Sequence, residues 1–127
     1  MEDISEKDVQ PLYEAGDQKI SKRDFVAALN EAGVEEGDVL FVHSDITSFG
    51  SLATKNKSFL LDSIIDAFKT VAGNTGTIIM PTFSYSTEKN EAFNVEHTKS
   101  TVGTLTEYFR KLNGVVRTPH PTHSAAN

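Results

Sequence analysis

Two short apolar runs, each followed by a polar segment, dominate the pattern along the chain. The first, Val39 to Val42, follows Glu36-Gly37-Asp38 and has the β-branched and aromatic composition of a strand buried on both faces. The second, Thr77 to Met80, follows the turn Gly73-Asn74-Thr75-Gly76 and is brought to a close by Pro81. These runs predict two buried strands.

Apolar positions at helical spacing predict three helices. The central one runs from about Ser58 to Ala72 and carries a continuous apolar stripe. An earlier helix should begin at Ser21, with Asp24 in the capping-box position, and end at Gly33. A later one should begin at Thr104, with a capping box completed by Glu107, and stop at Asn113-Gly114.

The order strand, helix, strand predicts that the two strands are parallel neighbours. Both would then end at the same edge of the sheet, and the loop that begins at His43 would lie beside the segment from Pro81 to Ser86. Ligands of open α/β sheets bind outside the carboxyl ends of the strands. We therefore expect an α/β fold with layered helices on a mainly parallel or mixed sheet, and a functional edge at these two segments.

The remaining segments complete the expected domain organisation. Residues 1–19 are polar and acidic and predict an N-terminal arm without regular structure, so that the α/β domain covers residues 20–127. Residues 87–101 predict a long loop, residues 115–118 a short strand, and residues 119–124 a stiff extended segment. The chain ends within what reads as a new strand, so the domain looks truncated.

Composition narrows the class of protein. The chain has 127 residues, 38% of them hydrophobic, which fits one globular domain. The net charge of −6 and the scattering of the 12 basic residues argue against nucleic acid as a partner. An acidic surface could attract a cationic substrate, although many proteins are acidic merely for solubility. The first residues lack the pattern of a signal peptide and no apolar run is long enough for a membrane span, so we expect a cytoplasmic protein with no membrane partner.

Motif chemistry leaves several interpretations open. There is no cysteine, which excludes a cysteine nucleophile within this chain. Ser44 lacks the flanking glycines of a serine-hydrolase elbow. His120 and His123 are three apart in an extended, proline-flanked segment and point to opposite faces, so no metal site is assigned. The hydroxyl-rich loop from Ser44 to Gly50 could bind a phosphate or could be an ordinary connection that caps the next helix.

Four blocks of sequence resemble one family. The blocks are VLFVHSDITSFG at residues 39–50, GTIIMPTF at 76–83, STVGTLTEYFR at 100–110 and GVVRTPHPTHSAA at 114–126. In this order and spacing they resemble the aminoglycoside 3-N-acetyltransferases, the acetyl-CoA-dependent family distinct from the GNAT superfamily. The resemblance implies an enzyme of antibiotic resistance that transfers acetyl from acetyl-CoA, its co-substrate, to an amine of an aminoglycoside or other amino sugar.

The resemblance also implies roles for individual residues. The coenzyme A site would be formed by His43, Ser44, Ser48, Phe49, Gly50, Thr82, Phe83, Ser100, Thr101, Val102 and Gly103. The edge of the substrate site would be formed by His120, Thr122, His123 and Ser124. In the position of Asp45 the family more often has a serine, and a carboxylate there would repel a phosphate.

Members of the family are longer than this chain, and the resemblance places the general base beyond Asn127. Within the chain, His123 is the best candidate for that base, although a packing role is equally compatible with its position. Two alternatives stay open: a non-catalytic binding or assembly remnant of the same fold, and an N-acetyltransferase acting on a sugar nucleotide for surface polysaccharide. A homo-oligomer also stays open.

Overall fold

A computed structural model describes residues 5–127. Over this range the chain forms four helices and six short strands. In chain order they are α1 (Glu6–Val9), β1 (Pro11–Ala15), β2 (Gln18–Ser21), α2 (Lys22–Glu31), β3 (Val39–Phe41), β4 (Ser51–Leu52), α3 (Lys57–Ala72), β5 (Thr77–Pro81), α4 (Thr104–Arg110) and β6 (Ala125–Ala126).

The chain folds into two compact units. The first contains the residues up to Asp38 together with Thr47–Gly76, and the second contains Val39–Ile46 together with Thr77–Asn127. The first unit combines α1, α2 and α3 with a three-stranded sheet ordered β2-β1-β4, and the second combines α4 with a three-stranded sheet ordered β3-β5-β6. The expected α/β class with a mixed sheet is confirmed.

The first unit contains an antiparallel sheet that the sequence pattern did not predict. β1 pairs with β2 and with β4, and a register shift between Pro11 and Tyr13 interrupts the β1–β2 ladder. Because of this irregularity the neighbouring side chains of Leu12 and Tyr13 are both fully buried, so the alternation that marks a strand is lost. The expectation of irregular structure is therefore wrong for most of residues 6–19, which form α1, β1 and the start of β2. Residues 1–4 of the expected arm lie outside the described residues, and the domain boundary at residue 19 stays a prediction.

Helices α2 and α3 pack against each other in the first unit. The capping box of α2 is confirmed, since the Ser21 N–H donates to Asp24 Oδ2 at 2.8 Å. α3 is capped by Asn56, whose Oδ1 accepts from the Phe59 N–H at 3.0 Å. The expected apolar stripe is buried at Leu60, Leu61, Ile64, Ile65 and Val71.

The second unit is built on the parallel pair that the sequence predicts. β3 and β5 run parallel, with Leu40 opposite Ile78 and Phe41 opposite Ile79. β6 adds to the other side of β5 in the antiparallel sense, with Met80 opposite Ala126. β5 is therefore the central strand of this sheet, and the segments that follow β3 and β5 leave it at the same edge.

The prediction that β3 is buried on both faces is wrong. Val39 is 67% exposed and Phe41 is 52% exposed, whereas Leu40 between them is partly covered. β3 is the edge strand of its sheet, and its alternate residues lie on the face that the described residues leave open. A continuous apolar run does not distinguish such an edge strand from a central one.

The start of α4 also differs from the prediction. Gly103, rather than Thr104, is the N-cap residue, with a φ of 137°, so the expected box between Thr104 and Glu107 does not form. Glu107 instead accepts the Ser100 N–H at 2.9 Å. α4 ends at Arg110, three residues before Asn113.

Gly50 permits a close approach of two backbone segments in the first unit. A Cβ at this position would lie 2.4 Å from the carbonyl oxygen of Glu14 in β1, and φ is +128°. We expect Gly50→Ala to lower the free energy of unfolding by about 2 kcal/mol or more, because it combines a steric clash with backbone strain. Urea unfolding followed by circular dichroism measures this.

Gly16→Ala is the matched control, since Gly16 has a φ of +62° and no atom within 4 Å of an added Cβ. Gly16→Ala should lower the free energy of unfolding only through the strained left-handed backbone, by about 1 kcal/mol. Equal destabilisation by the two substitutions would contradict the steric explanation for Gly50.

Candidate functional site

The residues expected at the functional edge are divided between the two units. The second unit contains His43, Ser44, Thr82, Phe83, the segment 100–103 and the segment 120–124, whereas the first contains Ser48, Phe49 and Gly50. Within the second unit, the Val42 N–H donates to the Ile79 carbonyl at 2.8 Å, so the loop after β3 and the segment after β5 start side by side. The expected juxtaposition of these two segments is confirmed.

The segment after β5 is joined to the C-terminal segment by a buried pair of hydroxyls. Thr82 and Ser124 are each 0% exposed, and their hydroxyl oxygens lie 3.1 Å apart. Ser124 Oγ also donates to the Thr82 carbonyl at 2.8 Å, while the Thr82 N–H donates to the Ser124 carbonyl at 2.9 Å. These hydroxyls therefore hold the two segments together and are already engaged inside the protein.

Arg117 completes this junction with a buried guanidinium group. Its Nε donates to Ser124 Oγ at 3.0 Å and its Nη2 donates to the Thr82 carbonyl at 2.8 Å. Its Nη1 donates to the carbonyls of Val95 and Thr98 in the loop that precedes α4. A single side chain thus connects three segments that are far apart in sequence.

The charge of Arg117 is balanced by carbonyl and hydroxyl oxygens together with an aromatic ring. Its Cζ lies 5.1 Å from the centroid of the Phe93 ring, within the range of a cation–π interaction. Burial, and then the positive charge of Arg110, lower the pKa of Arg117 from its ordinary value, while Glu107 acts in the opposite direction. An arginine still remains charged, because its reference pKa is so high.

A second arginine binds the same part of this loop. Arg110 forms a bidentate pair with Glu107, and its Nη1 donates to the Glu96 carbonyl at 2.9 Å. Burial raises the pKa of Glu107, but the hydrogen bonds from Arg110, the Ser100 N–H and Lys111 outweigh it and hold the pKa below its ordinary value. Glu107 is therefore ionised at neutral pH and organises the start and the end of α4.

Within the second unit, the segment 100–103 lies beside both segments that follow the parallel strands. The Thr101 N–H and hydroxyl both donate to the Phe83 carbonyl, at 2.8 and 2.9 Å. At the other end of the segment, a Cβ on Gly103 would lie 3.7 Å from the Ser44 carbonyl oxygen, which is ordinary van der Waals contact. The segment therefore contacts Phe83 at one end and Ser44 at the other.

Ser44 carries the most unusual group of this assembly. Its Oγ is buried and makes no hydrogen bond within residues 5–127. A buried hydroxyl without a partner costs about 1–3 kcal/mol, so such groups are rare unless a water or a ligand satisfies them. His43, the preceding residue, is exposed and packs edge-on against Phe41 at 4.8 Å between ring centroids.

An aromatic cluster covers the surface beside the Thr82–Ser124 junction. The His123 ring contacts Phe83 at 5.0 Å and Tyr85 at 5.6 Å in edge-to-face geometry, and stacks on His120 at 5.9 Å. The expectation that the two histidines point to opposite faces is wrong, because residues 121–123 form a turn. Tyr85 adopts a φ of 53°, a strained conformation for a residue with a side chain. Backbone strain of this kind clusters at functional sites, so it supports a functional role for this surface.

Buried hydroxyls and one carboxylate border the cluster. Ser84 Oγ lies 2.9 Å from Ser86 Oγ, and both residues are buried. The Thr122 hydroxyl donates to Glu88 Oε2 at 3.1 Å, which holds a carboxylate at the margin of the imidazole pair.

In the first unit, Phe49 is 38% exposed and packs against two other aromatic rings. Its ring contacts Phe25 at 5.1 Å and Tyr13 at 5.5 Å, and it lines a cavity of about 470 Å³ together with residues of β2 and α2. The contact of Gly50 with Glu14 explains that glycine without any ligand. Ser48 is exposed. Contacts of these three residues with coenzyme A stay predictions.

Sequence reasoning missed the arginines that organise the site. Arg117 lies in the segment 115–118, which was predicted only as a short strand, and the structure shows there a single bridge between Arg117 and Ala126. The sequence contains one signal for a buried arginine, namely a charged residue directly after the apolar pair Val115-Val116. Among residues 5–127 no group of His, Asp or Glu is arranged to hold a metal ion. Over the same range no helix has the length and apolarity needed to cross a bilayer.

Comparison with known proteins gives a consistent result. A family model described as aminoglycoside 3-N-acetyltransferase matches residues 41–127. Among solved structures, a mutant of aminoglycoside acetyltransferase AAC(3)-IVa in complex with a gentamicin is 28% identical with a TM-score of 0.73, covering 89% of this chain and 42% of that one. The YokD protein from Bacillus subtilis is 26% identical with a TM-score of 0.69, covering 83% and 48%.

A third solved structure, AAC-IIIb in a binary complex with CoASH, shares the fold at 21% identity. Its TM-score is 0.68, and the match covers 84% of this chain and 45% of that one. The chain therefore spans less than half the length of each of these three solved structures.

Arg117 provides a test of how the site is assembled. We expect Arg117→Met to lower the free energy of unfolding by about 3 kcal/mol or more, because it removes donors from several buried oxygens at once. Arg117→Lys should recover less than half of this loss, since an ammonium cannot reproduce the planar fork of donors. Urea unfolding gives the energies.

Arg23→Met serves as the control, because Arg23 is exposed and its loss should change stability by no more than about 0.5 kcal/mol. A stability of Arg117→Met equal to that of Arg23→Met would show that the buried network does not hold the second unit together.

Proposed function

The chain belongs to the aminoglycoside 3-N-acetyltransferase family, and we propose on that basis that it binds acetyl-CoA and supports transfer of the acetyl group to an amine of an aminoglycoside or another amino sugar. The family match covers residues 41–127, which includes nearly all of the four sequence blocks that carry the resemblance. The whole reaction is a proposal, because the chain spans less than half the length of the solved family structures.

The buried Ser44 hydroxyl is the observation that carries the cofactor assignment. It lies in the loop that follows β3, where the Gly103 backbone approaches, and makes no hydrogen bond within the described residues. A polar ligand or an ordered water would satisfy this group. The family resemblance selects coenzyme A, and AAC-IIIb, which shares the fold, is known in complex with CoASH.

The segments around Ser44 fit the proposed site in different ways. Gly103, whose φ of +137° favours glycine, lies next to Ser44, and Thr101 holds the Phe83 backbone. Thr82 and Ser124 are fully buried and bonded to each other, so we assign them the role of positioning Phe83 and His123. For Ser48, Phe49 and Gly50, which belong to the first unit, contacts with coenzyme A rest on the family resemblance alone.

Bound acetyl-CoA would supply an activated acetyl group as a thioester. The amine nitrogen would attack the thioester carbonyl carbon, the carbon–sulfur bond would break, and the coenzyme would leave as its thiolate while the amine becomes an amide. A base must accept the proton that the amine loses. In this chain His123 is an exposed imidazole directly beside the Thr82–Ser124 junction, and the resemblance places the family's general base beyond Asn127.

The charge of the chain favours a cationic acceptor. Amino sugars carry ammonium groups at neutral pH, and the net charge here is −6. Glu88 lies at the margin of the aromatic cluster, held by the Thr122 hydroxyl. AAC(3)-IVa has been solved with a gentamicin and with apramycin, and we propose acceptors of the same chemical class for this chain.

Calorimetry with coenzyme A tests the cofactor site. We expect Ser44→Ala to weaken binding roughly threefold to tenfold, the effect of losing one hydrogen bond of ordinary net strength. Ser58→Ala is the control, because Ser58 is exposed on α3 and its hydroxyl donates to Asn56 within the first unit. Gly50 is unsuited to this test, since its substitution disturbs β1. Unchanged affinity in Ser44→Ala would remove Ser44 from the site.

The reaction itself is tested by thiol release from acetyl-CoA in the presence of kanamycin. We expect release that depends on the amine and exceeds the hydrolysis measured without it. Binding of coenzyme A without amine-dependent release would favour the alternative of a non-catalytic binding domain. Preference for an amino sugar nucleotide over kanamycin would favour the polysaccharide alternative.

A further inference from the structure

The two histidines of the aromatic cluster are held in different ways. His120 Nδ1 accepts two backbone hydrogen bonds, from the Thr122 N–H at 3.2 Å and from the His123 N–H at 2.9 Å. Neither ring nitrogen of His123 is engaged in a hydrogen bond within the part of the chain that the structure describes. The same surface therefore carries one imidazole with a fixed hydrogen-bonding pattern and one without.

The local sequence explains why His120 takes this position. Pro121 has no N–H, so the first backbone donors after His120 are those of Thr122 and His123. Proline also restricts His120 to extended backbone and favours a turn over residues 120–123. In such turns Asp or Asn commonly stands first and accepts the N–H groups two and three residues later. His120 Nδ1 does the same here.

From this geometry we infer that His120 is a positioning residue, held as the Nε2–H tautomer, which fixes His123 on this surface beside Phe83 and Tyr85. A nitrogen that accepts N–H groups must carry a lone pair, so the proton of neutral His120 resides on Nε2. A proton on Nδ1 would remove both hydrogen bonds, because the Nδ1–H group would then face the N–H groups of Thr122 and His123.

The position of His123 depends on this arrangement from two sides. Its backbone N–H is bound by His120, and its ring is stacked 5.9 Å from the His120 ring. On the other side the ring meets Phe83 and Tyr85. His120 thus fixes both the backbone and the ring plane of His123 beside the segment that follows β5. The consequence of this arrangement for acetyl transfer rests on the proposed function, whereas the inference about the His120 tautomer does not.

Nitrogen NMR of the chain labelled at histidine tests the tautomer directly. At alkaline pH we expect His120 to show an unprotonated Nδ1 and a protonated Nε2, and His123 to show a mixture of both tautomers. An averaged pair of signals for His120, or a protonated Nδ1, would overturn the inference whatever the outcome of any activity assay.

A matched pair of substitutions tests the positioning role. In His120→Asn the side-chain oxygen can take the place of Nδ1, whereas in His120→Gln the amide reaches the position of Nε2 and the Nδ1 acceptor is lost. We expect amide exchange at Thr122 and His123 to stay near the original rate in His120→Asn and to become about fivefold to tenfold faster in His120→Gln. Unchanged exchange at Ala126 would show that both variants are folded.

Amine-dependent thiol release adds a functional comparison. We expect His120→Asn to keep kcat/KM within about threefold and His120→Gln to lose about tenfold or more, since an ordered turn is retained only in the first. Equal amide exchange in the two variants would overturn the positioning role. Absence of thiol release in the unsubstituted chain would count against the proposed function and leave the NMR result standing as the test of the tautomer.

Discussion

The buried guanidinium of Arg117 is the interaction on which the second unit depends most. It is charged, 8% exposed, and bonded to the segment after β5, to the C-terminal segment and to the loop before α4. A buried charge is tolerated only when its donors are satisfied. Here the acceptors are backbone carbonyls and one serine hydroxyl, so the network constrains backbone positions directly.

This constraint explains how a long loop without sequence pattern becomes ordered. Residues 87–103 contain no helix or strand, yet the carbonyls of Val95, Glu96 and Thr98 are bound by Arg117 and Arg110. Ser100 and Thr101 are then tied to α4 and to Phe83. The segment that meets Ser44 is thus positioned by two arginines rather than by regular secondary structure.

The sequence predicted the central helix and the capping box of α2 because each depends on residues close together in the chain, and it predicted the parallel strand pair from the order strand, helix, strand. It did not predict the hairpin β1–β2, where two adjacent residues, Leu12 and Tyr13, are both buried. The exposure of Val39 and Phe41 also escaped prediction, since burial depends on neighbours across the sheet. For the site, residue types and sequence blocks indicated Ser44, Phe83 and His123. The partners of Arg117 in the loop and in the segment after β5 are 19 to 35 residues away and leave no local pattern.

Some residues of the site hold its segments together, whereas others are available to a ligand. The polar side-chain groups of Thr82, Ser124 and Arg117 are buried and bonded within the protein. Contacts with a ligand at this edge of the sheet are therefore left to their neighbours. Those neighbours are Phe83, which Thr101 fixes, and His123, which follows Thr122 and precedes Ser124. Hydroxyl residues that look alike in the sequence therefore have two different roles. Those of Thr82 and Ser124 hold the site together, whereas the buried hydroxyl of Ser44 has no partner among the described residues and is available to a ligand or a water.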